Sequence, residues 1–534
     1  MKIAISQFNP VLGDFSYNLD SIKSIINKAQ KADIIVFPEL SICGYNPQDL
    51  ALRDGFIDLC EKSLFNLVEL SQNFASAILV GSISKEKNLR YNSAYLIQHG
   101  QILFQHNKLS LPNYGIFDEK RLFQKGDKFQ SIKFLEKNLL IGICEDFWDE
   151  ENRILIENEK ADIILSLNAS PYSKTKIAKR YNIAKSIAIT TSAKFVYVNQ
   201  VGLQDSIIYD GSSFAVDKNG EIINSLPSFA EDMVIIDTDE ISLKKSVKSD
   251  LESEIYSALV FALREYCRKN NIKSVTIGFS SGIDSTLTSI IALDALGYEN
   301  VNLVALPTKF NSKETYKDAA FFEEINNVKL QQIPIQALYD NFLLSLNMKD
   351  NQTITSQNLQ SRIRGVILMA ISNQNNSLLL STGNKSELAV GYATIYGDMN
   401  GGYNLLKDLY KTEIYNLANW RNKNIPTSSK HQILNPIPQN IIIKEPTAEL
   451  RDNQKDSDSL PEYDILDDIL FNYIDLLKSR DYIINLGYDS EIVDQVLNLI
   501  RISQFKRYQS TMGPKISDMS FDLEWRYPII NKFY

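Results

Sequence analysis

Ser274-Val-Thr-Ile-Gly-Phe-Ser-Ser-Gly-Ile-Asp-Ser285 decides the fold of the second half of this chain. An apolar, β-branched run passes through small and hydroxyl residues directly into a helical pattern, predicted over Ser285–Leu296. A strand, Val-Asn-Leu-Val-Ala-Leu306, and a helix over Lys313–Glu324 come next, and a long amphipathic helix over Leu251–Lys269 comes before. Strands alternating with helices are what a parallel, doubly wound α/β sheet requires, so a second domain is predicted over 250–534.

Thr238–Asp250, polar and lysine-bearing, reads as a linker. On its N-terminal side the pattern changes to many short β-branched runs, among them KIAISQF, DIIVFPE, AILVGSI, LLIGICE, DIILSLN and FVYVNQV. Helical spacing over Tyr17–Lys31 and Lys174–Ala193 interrupts them, which predicts a layered α/β domain over 1–243. The total of 534 residues suits two large domains better than the three to four that about 150 residues each would give.

Composition is that of a folded globular chain, 44% hydrophobic and 23% charged. With 56 basic and 65 acidic residues the net charge is −9, which gives no electrostatic footprint for nucleic acid or an anionic membrane. Any phosphate-bearing ligand must therefore be held locally. Cys43, Cys60, Cys144 and Cys267 form no CxxC pair, so neither a zinc knuckle nor a disulfide scaffold is expected. The N-terminal apolar run reaches Pro10 too early for a signal-peptide core, and no apolar run has the length of a membrane span. A cytoplasmic protein is the expectation.

The turn Gly278, Phe279, Ser280, Ser281, Gly282, Ile283, Asp284, Ser285 stands between strand and helix. Small residues there let backbone N–H groups approach an oxyanion, and a helix N-terminus adds partial positive charge, so phosphate or pyrophosphate binding is a physical expectation, although a small-residue turn taken alone is more often an ordinary strand-to-helix turn capped by Ser or Asp. The GK[ST] ending of a Walker loop is absent. In the first half, runs of apolar residues end near three chemically useful side chains, Glu39, Lys108 and Cys144. A cysteine nucleophile needs a base, and a tetrahedral oxyanion needs a cationic donor; a carboxylate and a lysine supply both without histidine. Taken alone, a strand-end cysteine is more often a small buried hydrophobe, and Glu145 and Asp146, if close, would raise its pKa.

The Gly278–Ser285 segment resembles the SGGxDS pyrophosphate loop of the N-type ATP pyrophosphatases, with Ser281 standing where that family has the first glycine of a pair. Asn358-Leu-Gln-Ser-Arg-Ile-Arg364, Ser381-Thr-Gly-Asn-Lys-Ser-Glu-Leu388, Tyr396-Gly-Asp398, Lys444-Glu-Pro-Thr-Ala-Glu-Leu450 and Lys506-Arg507 are similar to segments of NAD synthetases. Phe37-Pro-Glu-Leu40, Asn107-Lys-Leu-Ser-Leu-Pro-Asn-Tyr114 and Gly142-Ile-Cys-Glu-Asp146 resemble the Glu/Lys/Cys triad of the nitrilase superfamily, in its glutaminase branch fused to NAD synthetase.

For the first domain the resemblance implies an αββα sandwich in which Glu39 is general base, Lys108 stabilises charge and Cys144 carries a glutamyl thioester. Tyr114, Glu119, Ser170 and Lys176 match glutamine contacts. For the second domain it implies ATP contacts from Gly278–Ser285, Thr382, Lys411 and Thr447, and deamido-NAD contacts from Asn358, Glu387 and Lys506. Asp284 and Glu387 are candidate oxygen ligands for Mg²⁺. Lys385, Lys411 and Lys506 are candidates to neutralise departing pyrophosphate, and the polar segment Pro446–Pro461 is expected to close over ATP. The implied reaction is ATP-dependent amidation of deamido-NAD with ammonia drawn from glutamine through the protein, in a homo-oligomer. The competing expectations are the same chemistry on another carboxylic acid and, motivated by Ser281, a catalytically silent nucleotide sensor.

Overall fold

The computed structural model describes residues 1–239, 250–350 and 352–533, so most of the predicted linker, 240–249, lies outside the described residues. The chain divides into two compact units, Met1–Lys248 and Ser249–Tyr534.

Two six-stranded sheets make the first unit. One runs in the order Asp232–Asp237, Lys2–Gln7, Ile34–Val36, Ala77–Glu86, Leu89–Gln98, Gln101–Asn107. The other runs Ile222–Ser225, Phe214–Val216, Lys194–Asn199, Ile163–Asn168, Lys137–Ile143, Ser131–Phe134. The central strands of each are parallel and the outer ones antiparallel. Side chains alternate across a strand, and both faces here are covered. Ile3, Ile5, Ile34, Val36 and Leu79 meet Leu139, Ile141, Ile143, Leu165, Leu167 and Val196 in a core shared by the two sheets. The opposite set, Ala4, Ile35, Ile78 and Val80, packs under helices Phe15–Lys28 and Asp54–Leu70 through Ile22, Ile26, Leu64 and Leu67. On the second sheet, Leu140, Ile164 and Phe195 pack under Ile156, Ala184 and Ile187 of helices Arg153–Asn158 and Lys176–Thr191. The unit is an αββα sandwich. Strands buried on both faces read as continuous apolar runs rather than alternating ones, which is why they stood out in the sequence.

Local signals set the boundaries. The first helix begins at Phe15, earlier than its apolar spacing indicates, because the Asp14 side chain accepts from Tyr17 N at 3.0 Å and caps it. FVYVNQV is divided: one strand ends at Asn199, and Val201–Gln204 turns into a separate hairpin with Ile207–Asp210.

The second unit has one parallel five-stranded sheet in the order Leu330–Gln332, Val301–Ala305, Val275–Gly278, Leu378–Ser381, Tyr403–Asn404. Numbered along the chain this is 3-2-1-4-5, the doubly wound order. Its direction of winding reverses between Val275–Gly278 and Leu378–Ser381, and the crevice beyond the carboxyl ends of those strands is where such sheets bind ligands. Helix Ile283–Leu296 is buried along its length except at Asp284, which is partly exposed. It begins ahead of the expected Ser285 because Gly282, extended at φ −83° and ψ 158°, is its N-cap. C-terminal helices Tyr463–Leu470 and Ser490–Ile502 add a separate apolar cluster around Leu388, Leu466, Val496 and Trp525. Among the described residues, no helix is long and apolar enough to cross a membrane.

Arg421 and Asp294, both fully buried, hold several of these elements together. Asp294 on helix Ile283–Leu296 accepts from Arg421 Nε at 2.8 Å, Arg421 Nη2 at 3.0 Å and Tyr256 OH at 2.6 Å, while Arg421 also donates to the carbonyls of Asn424, His431 and Ile433. Replacing Arg421 by methionine leaves a buried carboxylate without its cation. Urea denaturation of R421M should show a loss of about 3–5 kcal/mol in the second unit.

Candidate active sites

In the first unit three strand ends deliver the candidate triad. Glu39 follows strand Ile34–Val36, Lys108 follows Gln101–Asn107 and Cys144 follows Lys137–Ile143. Lys108 Nζ donates to Glu39 Oε1 at 2.7 Å and to Glu119 Oε1 at 2.8 Å. Glu39 also accepts from Asn92 Nδ2 at 2.7 Å and from the Ala169 amide at 3.0 Å, and Glu119 accepts from Tyr45 OH at 2.7 Å. Lys108, Glu39 and Glu119 are each 1% exposed. Burial alone would lower the lysine, but Glu119, Glu39 and Cys144 outweigh it and hold the ammonium well above its ordinary value. Glu119 is pushed up to about 7 by burial, with Lys108 opposing and Glu39 adding to the rise.

Cys144 sits in the left-handed region, φ 44°, where a strand gives way to the single turn Cys144–Phe147. Burial raises its thiol well above the usual value, Glu39 adds to that, and Lys108 opposes it. The resting group is therefore a thiol, which would have to lose its proton to act as a nucleophile. Glu145 raises it, as expected; the Asp146 carboxylate is bonded to the His106 ring and three backbone amides.

The four glutamine-contact candidates surround this group. Tyr114 is half-exposed and donates to Glu145 Oε1 at 2.9 Å. Lys176 opens helix Lys176–Thr191, and its ammonium lies 4.2 Å from the centroid of the Trp148 ring. Burial and then Arg180 lower the Lys176 pKa, while Cys144 and Glu145 oppose the shift. Ser170 Oγ accepts from Arg180 Nε at 3.1 Å, and Arg180 is clamped on Asp210 by two 2.8 Å bonds from Nη1. A guanidinium only donates, so Ser170 accepts there and keeps its own proton for another partner. Sequence reading missed Arg180, although it lies one helical turn beyond Lys176. It also missed Asn92, Tyr45 and Asp210, which carry no local signal. Gly81 was missed too: a Cβ there would stand 2.3 Å from Leu40 N and 3.0 Å from Glu39 C.

In the second unit the candidates meet around one cavity of about 760 Å³ at the reversal of the sheet, lined by Gly278–Ser285, Asn358, Thr382, Glu387, Lys411, Thr447 and Lys506. Lys411 Nζ bonds Asp284 Oδ2 and reaches Glu387 Oε1 at 3.4 Å, and Asp284 Oδ1 accepts from Asn384 Nδ2 at 2.9 Å. Burial pushes Glu387 up to about 8; Lys411 opposes the rise, and Asp284 and Asp456 increase it. Lys506 donates to the carbonyls of Gly391 and Ala393 at 2.7 and 2.8 Å, and Asn358 accepts from Thr394 Oγ1 at 2.8 Å, so both brace one wall.

Lys385 is the exception to the phosphate-facing expectation. It is fully buried away from the cavity, paired with Asp408 at 3.1 Å and Asp475 at 3.2 Å and bonded to Ser517 Oγ. Membership of a segment resembling NAD synthetases suggested the site, but the side chain turns into the protein to neutralise two buried acids.

Models of two families match the chain, carbon-nitrogen hydrolase over residues 2–244 and NAD synthase over residues 255–510. The glutamine-dependent NAD(+) synthetase of Xanthomonas campestris pv. campestris is 40% identical over 548 residues, covering 100% of this chain and 98% of that protein. The chain belongs to the glutamine-dependent NAD(+) synthetase family. The solved structure of the glutamine-dependent NAD+ synthetase from Acinetobacter baumannii, in complex with adenosine diphosphate, is 38% identical with a TM-score of 0.79 and covers 99% of this chain and 98% of its own. That of the Cytophaga hutchinsonii glutamine-dependent NAD(+) synthetase, 21% identical and with the same coverages, has the same fold at a TM-score of 0.84.

Ser281 carries a local strain. Its φ of 60° is the conformation that glycine adopts without strain, which a serine adopts at a penalty of about 1–2 kcal/mol. The hydroxyl offsets part of this by donating to the Thr315 carbonyl at 3.1 Å. Thr315 Oγ1 in turn donates to Glu449 Oε1 at 2.6 Å, and Lys444 and Asn311 also bond Glu449. The serine therefore links the turn to the segment Pro446–Pro461, part of which lines the cavity.

In the first unit the demand on Gly81 is steric. The G81A variant should lose about 1–3 kcal/mol of stability in urea unfolding as backbone is pushed aside.

Proposed function

We propose that this chain makes NAD by amidating deamido-NAD, using ATP and ammonia taken from L-glutamine, in two sites on its two units. The observation that carries the reading is the buried Lys108 ammonium shared by Glu39 and Glu119 beside the Cys144 thiol. It is supported by membership of the glutamine-dependent NAD(+) synthetase family.

At the first site the Cys144 sulfur attacks the glutamine side-chain amide while Glu39 takes the thiol proton. The oxygen of the tetrahedral intermediate becomes negative, and the fixed ammonium of Lys108 stabilises it in a water-poor setting. Glu39 returns the proton to the departing nitrogen, ammonia leaves, and a glutamyl thioester remains. Water activated by Glu39 then releases glutamate. Tyr114, Ser170 and Lys176 hold the glutamine, and Glu119 keeps Lys108 charged and in place.

At the second site a carboxylate must first be made reactive, because its oxygen is a poor leaving group. ATP adenylylates the nicotinate carboxylate with release of pyrophosphate, and ammonia then displaces AMP to give NAD. The Gly278–Ser285 turn, Thr382, Lys411 and Thr447 hold ATP, and Asn358, Glu387 and Lys506 hold deamido-NAD. Among the described residues, no group of three or more His, Cys, Asp or Glu is arranged to hold a metal ion. Asp284 and Glu387 fit the smaller demand of Mg²⁺, which takes one or two carboxylates and completes its shell with phosphate oxygens and water. The excess of buried negative charge around Lys411 favours such a cation. Bound there, Mg²⁺ would neutralise phosphate charge. Lys411 would then move from its carboxylates toward the phosphates, and Pro446–Pro461 would exclude water from the adenylate.

The domains on this reading are a glutaminase over 1–243 and a synthetase over 250–534. Four buried thiols without disulfides suit the reducing cytoplasm. Assembly of copies of the chain into a homo-oligomer, which the family resemblance implies, belongs to the same reading.

Cys144→Ala should reduce glutamine-driven NAD and pyrophosphate formation below about one-thousandth of wild type while leaving synthesis from added ammonium intact. Loss of both activities in a folded C144A protein would refute the division between sites, and amidation of an acid other than deamido-NAD would refute the substrate.

A further inference from the structure

Asp146 is fully buried, and its carboxylate accepts four hydrogen bonds. Oδ1 accepts from the amides of Leu109 and Ser110 at 2.8 and 2.9 Å. Oδ2 accepts from the Ile143 amide at 2.9 Å and pairs with His106 Nε2 at 2.8 Å. An ionised carboxylate has about four acceptor sites and no donor, so its capacity is filled and His106 Nε2 carries its hydrogen. The His106 ring is fixed in turn by stacking on Phe129, 5.5 Å between centroids and 11° between planes.

The order of these donors along the chain is informative. His106, Leu109 and Ser110 bracket Lys108, and Ile143 directly precedes Cys144. One carboxylate thus ties the strand end that carries the lysine to the strand end that carries the sulfur. Glu39, Glu145 and Glu119 raise the Cys144 thiol, and all of Asp146's hydrogen bonds given above go to these two strand ends.

We propose that Asp146 is a positioning residue for glutamine hydrolysis, setting the separation between the Lys108 ammonium and the Cys144 sulfur, with His106 as the donor that anchors its second oxygen. The proposal rests on the reading of Lys108 and Cys144 as the catalytic pair. Because a sub-ångström error in that separation affects the transition state more than glutamine binding, a defect belongs in kcat and not in KM.

Asp146→Asn in the full-length protein is the test. Asparagine has one acceptor oxygen, so it keeps either the Leu109 and Ser110 pair or the Ile143 and His106 pair and turns N–H groups toward the other. The kcat for glutamine hydrolysis should fall about 100-fold, the scale of a misplacement near 1 Å, with the glutamine KM within about threefold of wild type. Synthesis from added ammonium should be unchanged. An unchanged kcat, or a rise in KM that accounts for the whole loss, overturns the proposal. If D146N loses ammonium-driven synthesis as well, the protein has not folded and His106→Leu decides. It should lower kcat about tenfold at constant KM, and His106→Gln, which restores a donor, should recover it; an unaffected kcat in H106L overturns the proposal. Cys144→Ala measured alongside separates the two levels, since glutamine hydrolysis by C144A would remove the reading of the site itself.

Discussion

A buried ammonium shared by two carboxylates is the interaction on which both sites depend. Lys108 between Glu39 and Glu119 and Lys411 between Asp284 and Glu387 repeat one electrostatic arrangement on unrelated sheets. Each cluster carries one more negative than positive charge when all its members are ionised. Removing such a group from water is expensive, and truncating one partner leaves charge that nothing else can answer. The surrounding residues read as a response. Asn92, Ala169 and Tyr45 donate to the first cluster, and Asn384 to the second.

The same imbalance perturbs different groups in the two places. In the first unit, burial and Glu39 raise the Cys144 thiol well above its ordinary value, and Glu119 and Glu39 hold the Lys108 ammonium above its own against the effect of burial. In the second, burial raises Glu387, Asp284 and Asp456 add to the rise, and Lys411 opposes it. Both sites also place a non-glycine residue in the left-handed region at the end of a strand, Cys144 at φ 44° and Ser281 at φ 60°. Such strain persists only where the surroundings over-determine it. Around Cys144 the constraint comes from the Ile143 amide held by Asp146, and around Ser281 from the Thr315 carbonyl.

Much of the fold was legible because its signals are local. Strands covered on both faces must be apolar throughout, so the runs ending near Glu39 and Cys144 announced themselves, and the small-residue turn before Ile283 marked a crossover. Lys385 was misread because membership of a family-like segment says nothing about which way a long side chain turns. Asn92, Arg180, Asp210 and Gly81 escaped notice because each acts through a partner distant in sequence: Asn92 on Glu39, Arg180 on Asp210, Gly81 under Leu40. The break in FVYVNQV escaped for a similar reason, since Val201–Gln204 becomes a separate strand only through pairing with Ile207–Asp210.

By itself, then, the sequence determined which residue types stand at strand ends, where helices start, and that two unlike α/β units share one chain. Periodicity and capping act over a few residues, and that range suffices for those features. Only the tertiary structure decided that Glu39, Lys108, Glu119 and Cys144 converge, that Asp146 spends its charge on four donors, and that Ser281 has a carbonyl to meet its hydroxyl. Convergence depends on strand order and register, and strand ends far apart in the chain become neighbours only when the sheets form.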